Sequence, residues 1–294
     1  MLPEFLQFLQ FLFSGLTVGA TYALSALGFN LIYNASNVIN FAQGEFIMLG
    51  GMLAVFFTEA GLHWSLAFAL AVIIPTLIGI LIEKLTIEPV KNADTVTLII
   101  ITIGVSLVIR GLVQVGLDKN VHSLPPFSDH APISILGATL VIQSVWVLLI
   151  TAVVVLLLWF FFSRTLAGKA ILATAYNQVA SLLVGISTSR VLMVSFAMAA
   201  ALGALGGIII TPITLTSYDV GIMLGLKGFV AAVVGGLGNG LGAVLGGLLV
   251  GILEAMGAGY ISSAYKDAIP FVLILLILFV RPQGLLSGRS TERV

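Results

Sequence analysis

The sequence predicts an all-α, polytopic integral membrane protein of eight or nine transmembrane helices, some of them broken or re-entrant glycine-rich segments. Three observations carry this. Hydrophobic residues make up 60% of the 294 and charged residues only 8%, against about 25% charged in a soluble domain, so a water-facing surface could not be covered. Several apolar runs approach the roughly 20 residues that cross a hydrocarbon core. In lipid every backbone amide must be paired internally, which makes these runs helices.

In chain order the spans fall at about residues 8–32, 38–58, 64–82, 95–116, 138–162, 191–211, 222–237, 241–258 and 268–281. The first lacks the positive flank of a signal peptide, because no Lys or Arg precedes Lys84, and it is expected to remain a membrane helix. The segment 222–237 is short and rich in glycine, as a half-helix or re-entrant piece would be. Basic residues set the orientation: Lys84 and Lys91, then Arg164, Lys169 and Arg190, then Arg281, Arg289 and Arg293 mark three cytoplasmic regions. Nine spans then place the N-terminus outside and the C-terminus in the cytoplasm, with loop 117–137, Lys119 and Lys266 external. The whole chain, 1–294, reads as one transmembrane domain with a polar cytoplasmic loop at 163–190.

Composition also excludes functions. The formal net charge is zero and there is no cysteine, so nucleic-acid binding, disulfides and thiolate metal sites find no support. His63, His122 and His130 fall in expected loops without metal-ligand spacing. "GGLGNGLG" (235–242) is followed by no Gly-Lys-Ser/Thr and is not a phosphate loop. Its glycines Gly235, Gly236, Gly238, Gly240 and Gly242 are too dense for a continuous helix, at about 1 kcal/mol each relative to Ala, and predict a backbone break. The pairs Gly236/Gly240, Gly242/Gly246 and Gly247/Gly251 have the GxxxG spacing of close helix packing. A weak internal echo relates 15–51, with Glu45, to 225–260, with Glu254; paired broken segments of this kind mark the substrate path in transporters.

Polar groups inside apolar segments are the candidate site. Asn40, Gln43 and Glu45 lie in "NVINFAQGEF" (37–46), and Lys227 and Glu254 lie in later spans. An ionisable residue inside a span costs at least about 2.5–3.5 kcal/mol and persists when it faces a polar cavity or pairs; a purely structural bond to a neighbouring helix is the alternative for each. On a regular helix Asn40 and Gln43 share a face and Glu45 does not. Either one of them turns toward neighbouring helices or the start of that span is unwound. The loop 163–190 keeps apolar residues at helical spacing, which suits a docking helix for a cytoplasmic partner or a helix lying on the membrane.

"GLTVGATYALSALGFNLIY" (15–33), "INFAQGEFIMLGG" (39–51), "GKA…ATAYNQVASLLVGI" (168–186), "LKGFVAAVVGGLGNGLGAVLGGLLVGILEAMGAGY" (226–260) and "VRPQGLL" (280–286) together resemble the permease subunits of branched-chain amino-acid ABC importers, the first of the two paired permeases. The resemblance implies import by alternating access, with a homologous second permease or a second copy of this chain. It also implies two cytoplasmic ATP-binding subunits, which use the ATP, and an extracytoplasmic substrate-binding protein. The chain would bind no cofactor and catalyse no reaction, and it would sit in a bacterial-type inner membrane. Gly168, Lys169, Ala170, Ala180 and Gly185 match the segment that docks on the ATPase. Gln43 and Leu172 depart from the His and Arg often found in the family. Related permeases carry urea or short amides, and an ion-coupled secondary transporter is the rival from another class.

Overall fold

The computed structural model describes residues 2–90 and 93–286; Lys91, Arg289 and Arg293, used above for orientation, lie outside them. Among the described residues eleven α-helices form a bundle. They are α1 (Leu2–Ser36), α2 (Gln43–Glu59), α3 (Trp64–Ile82), α4 (Thr95–Gly116), α5 (Ile142–Arg164), α6 (Leu166–Tyr176), α7 (Gln178–Leu183), α8 (Thr188–Thr214), α9 (Val220–Gly235), α10 (Gly240–Tyr260) and α11 (Ala268–Val280). Six of these (α1, α3, α4, α5, α8 and α10) are long and apolar enough to cross a membrane, and α9 and α11 are shorter apolar helices. The chain is a multi-pass, all-α membrane protein. The segments expected as spans each contain one helix of α1–α5 and α8–α11.

Helix boundaries follow from polar caps placed at the ends of apolar runs. Asp94, Thr165, Asn177, Ser187 and Asn239 each accept a hydrogen bond from a first-turn amide of α4, α6, α7, α8 and α10, the satisfaction that an otherwise orphaned N–H requires. The expected span 138–162 begins later, at Ile142, because residues before it form an antiparallel hairpin, β1 (Ile133–Ile135) and β2 (Ala138–Leu140). Period-2 apolar residues there look like the start of a helix when only hydropathy is read. α3 runs on through a π-helical turn at Glu83–Ile87 and a short 3-10 turn at Glu88–Val90.

Small residues set the packing. α1 lies along α10, where Gly15 and Gly19 meet Gly247, Leu248 and Gly251 so closely that an added Cβ would overlap the opposing backbone. Gly50 of α2 meets Ala204 of α8, and Gly44 meets Gly221 and Gly225 of α9 in the same way. The two halves of the sequence echo, 15–51 and 225–260, therefore touch along their glycines. By contrast α4 and α5 expose Val108, Leu112, Val115, Leu156, Leu157 and Trp159, an apolar outer wall suited to lipid or another membrane helix.

Candidate functional site

The opening of α2 is unwound. Residues 37–42 are not helical, and α2 begins only at Gln43. Asn37 takes a left-handed backbone, φ 55°, which Asn tolerates better than most residues. The amides of this stretch are paired by side chains: Val38 N–H donates to Ser36 Oγ (3.2 Å), Phe41 N–H to Thr102 Oγ1 (3.2 Å) and Ala42 N–H to Asn40 Oδ1 (3.0 Å). Thr102 is the eighth residue of α4, about 10 Å along that helix at 1.5 Å per residue. The irregular backbone is therefore buried in protein at depth, where such backbone is tolerated. Both alternatives left open by the spacing are observed: the start of the span is unwound, and Gln43 and Glu45 turn toward neighbouring helices.

Asn40, Gln43 and Glu45 are all buried, at 0%, 0% and 1% exposure, and they diverge. Asn40 serves the turn itself. Gln43 donates through Nε2 to the Ala199 carbonyl of α8 (2.9 Å) and sits where a Cβ on Gly28 of α1 would collide with its carboxamide. Glu45 turns toward α4. Its Oε1 accepts from Arg110 Nη2 (2.5 Å) and Ser106 Oγ (2.8 Å), and Arg110 Nη2 also reaches Ser106 Oγ (3.1 Å). Glu45 Oε2 and Arg110 Nε are buried without a hydrogen-bond partner among the described residues. A cavity of about 150 Å³ opens beside them between α4 and α9, lined also by Phe29, Phe41, Ile103, Gly221 and Leu226.

A second ionic cluster ties four elements together. Lys227 of α9 donates to Glu254 Oε1 of α10 (2.7 Å) and to Asp267 Oδ1 ahead of α11 (2.6 Å), while Tyr22 of α1 donates its hydroxyl to Glu254 Oε2 (2.8 Å). The ammonium also lies 5.8 Å from the Tyr22 ring centroid. Its hydrogen bond to Lys227 holds the half-exposed Asp267 carboxyl below its ordinary range. Glu45 and the Lys227–Glu254 pair thus belong to separate networks.

The backbone turns sharply within the glycine-rich stretch 235–242. Helix α9 ends at Gly235, Gly236 and Gly238 take positive φ (109° and 86°), and α10 starts at Gly240. Gly235 and Gly242 pack backbone to backbone. Asn30 and Asn34 of α1 hold the turn through the Asn239 and Gly238 carbonyls (2.9 and 3.2 Å).

The loop 163–190 folds as α6 and α7. Gly168 is buried against the Phe161 carbonyl, where a Cβ would not fit. Lys169, Ala180 and Gly185 are exposed and Ala170 is half-buried. Leu166, Tyr176, Val179, Leu183 and Val184 present large exposed apolar surfaces. A groove of about 270 Å³ runs between α6 and the start of α8, past Ala170, Ile171, Gly185 and Arg190.

Arg110, Ser106, Tyr22 and Asp267 escaped the sequence reading. A signal existed for Arg110, a lone cation in the apolar run 95–116, which cannot stay there unpaired. Ser106 and Tyr22 carry no such mark. Among the described residues no group of three or more His, Asp or Glu could hold a metal ion.

The chain matches the family model described as "Branched-chain amino acid transport system / permease component" over residues 11–278. It is 33% identical over 311 residues to the high-affinity branched-chain amino acid transport system permease protein LivH of Escherichia coli K12, covering all of both chains. It is 32% identical over 307 residues to the corresponding protein BraD of Pseudomonas aeruginosa, again over both full lengths. Among solved structures, PsaBC from Streptococcus pneumoniae in complex with Fab shares the fold, with a TM-score of 0.55 over 96% of this chain and 97% of that one, at 12% identity. The chain belongs to the family of branched-chain amino acid transport permease components.

Proposed function

We propose that this chain is the membrane permease subunit of an ATP-driven importer of branched-chain amino acids. Full-length similarity to permeases named for that transport carries the reading. The chain has no phosphate loop of its own, so ATP is bound and hydrolysed on two separate cytoplasmic subunits. A homologous second permease, or a second copy, completes the membrane unit, and an extracytoplasmic binding protein delivers the solute. The N-terminus is outside and the C-terminus is in the cytoplasm of a bacterial-type inner membrane, and no cofactor is bound here.

The mechanism is alternating access. Closure of the ATP-binding subunits pushes on α6 and α7, whose Gly168, Lys169, Ala170, Ala180 and Gly185 form or flank the docking surface. Gly168 seats α6 directly on α5, which gives that push a rigid route into the bundle. The break at 37–42 lets α2 move as a rod separate from α1, while the turn at 236–239 folds α10 back on α9 so that the two move together. Asn40, Gln43 and Glu45 line or buttress the path, and Lys227 and Glu254 hold α9 to α10 as the bundle rocks.

A solute panel tests the substrate. In proteoliposomes holding the complete assembly, leucine, isoleucine and valine compete with one another for ATP-dependent uptake, whereas urea and acetamide do not. Uptake of amides in preference to branched-chain amino acids would assign the chain to the sibling class of permeases.

A further inference from the structure

We infer that the cavity between α4 and α9 is a binding site for the zwitterionic head of an amino acid, with Glu45 and Arg110 as its two charged ends; this rests on the functional reading above. Glu45 Oε2 is the first observation. It is a carboxylate oxygen on a side chain that is 1% exposed, has no partner among the described residues, and points at Gly221, where a Cβ would come within 3.1 Å of it. A buried acceptor of this kind calls for a donor, and an ammonium group supplies three. Arg110 is the second. Its guanidinium uses Nη2 on Glu45 and Ser106, leaves Nε without a partner, and has the planar fork that matches a carboxylate.

The walls and the size suit such a head. Phe29, Phe41, Ile103 and Leu226 surround the charged pair with apolar surface. The cavity measures about 150 Å³. At about 30 Å³ for each packed water-sized group, that admits about five such groups, the size of an ammonium, an α-carbon and a carboxylate. The first turn of α9, at Gly221 and Ile222, forms part of the rim beside Glu45 Oε2.

Charge balance explains why a zwitterion is selected. Glu45 and Arg110 are neutral as a pair, so a neutral zwitterion inserting between them trades one ion pair for two and requires no proton. An analogue lacking its carboxylate or its ammonium would part the pair and leave one buried charge without a partner, which is strongly unfavourable. Urea and simple amides cannot supply either charge. Arg110 is thus a specificity-determining residue, and discrimination begins inside the permease as well as in the binding protein.

The chain contains no cysteine, so Ile222→Cys places one reporter thiol at the rim, and its alkylation can be followed by mass in the complete assembly in nanodiscs. L-Leucine at ten times its dissociation constant is expected to slow alkylation about tenfold. Leucinamide and 4-methylpentanoate, each missing one charge, are expected to leave it unchanged at the same concentration. Arg110→Gln in the same background is expected to abolish protection while the assembly elutes intact. Equal protection by all three compounds, or none by leucine in an assembly that imports leucine, would overturn the site and leave the functional reading standing. An assembly that imports no branched-chain amino acid would instead remove the functional reading and this site with it.

Discussion

Lys227 shows how a charge can persist inside an apolar helix. It is 4% exposed and bonds two carboxylates on different elements, one of which also takes a hydrogen bond from Tyr22. Removing the cation alone strands Glu254, and stranding one partner of a buried pair costs about 3–5 kcal/mol. Lys227→Met should therefore lower the unfolding temperature of the detergent-purified protein sharply. Lys227→Met with Glu254→Leu, which removes both buried charges, should recover most of that loss, since a well-packed apolar replacement is often neutral or stabilising. Equal stability of the single variant and the parent protein would mean that the pair does not hold α9 to α10.

Legibility at this scale depended on context. Glu45, Glu254 and Lys227 stood out because each interrupts a hydrophobic run, and all three are buried in ionic networks. Which group each one meets was hidden, because partners 27 to 232 positions apart are brought together only by packing. Asn40 misled in a different way. Its spacing from Gln43 fits a helix face, yet the chain there is unwound, and no Gly or Pro between 37 and 42 announces it.

Among the elements, α1 and α10 share the most extensive contact. Gly251 lies against the backbone of Gly15 and Gly19, with no room for a Cβ. Gly251→Leu should force the two helices apart, cost at least the roughly 1–3 kcal/mol of an overpacked core, and reduce the yield of monodisperse protein. Gly111→Leu is the matched control, because a Cβ on Gly111 meets nothing within 4 Å and the residue faces outward on α4. Comparable losses from both variants would show that the damage is not steric. At α6, Gly168→Asp would place a charged side chain against the Phe161 carbonyl. The expected result is an assembly that loses its ATP-binding subunits on gel filtration, or hydrolyses ATP without uptake; a coupled, intact assembly would contradict the docking role.

The same scale explains what hydropathy could and could not place. Helices α3, α4 and α10 fall within a few residues of their expected spans because caps such as Asp94 and Asn239 end the apolar runs abruptly. The Gly235–Gly242 break was legible because its glycine density cannot sustain a helix. The hairpin before α5 was not, since its Ile and Leu residues look the same to a hydropathy window whether they lie in a strand or a helix.

At the scale of the whole molecule, the bundle is a set of tightly interlocked helices, α1, α2, α8, α9 and α10, flanked by α4 and α5 with wide apolar outer faces. The interlocked set carries both backbone breaks and the Lys227–Glu254 pair, the Glu45–Arg110 pair ties it to α4, and the exposed α6 and α7 stand at one end of α5. That division suits a subunit whose moving parts are internal and whose energy arrives through a surface. The most direct test compares leucine uptake by proteoliposomes holding this chain alone with uptake by those holding the complete assembly, with ATP or a non-hydrolysable analogue. Concentrative uptake is expected only from the complete assembly with ATP. Uptake by the chain alone, driven by an imposed ion gradient, would contradict the account and identify a secondary transporter.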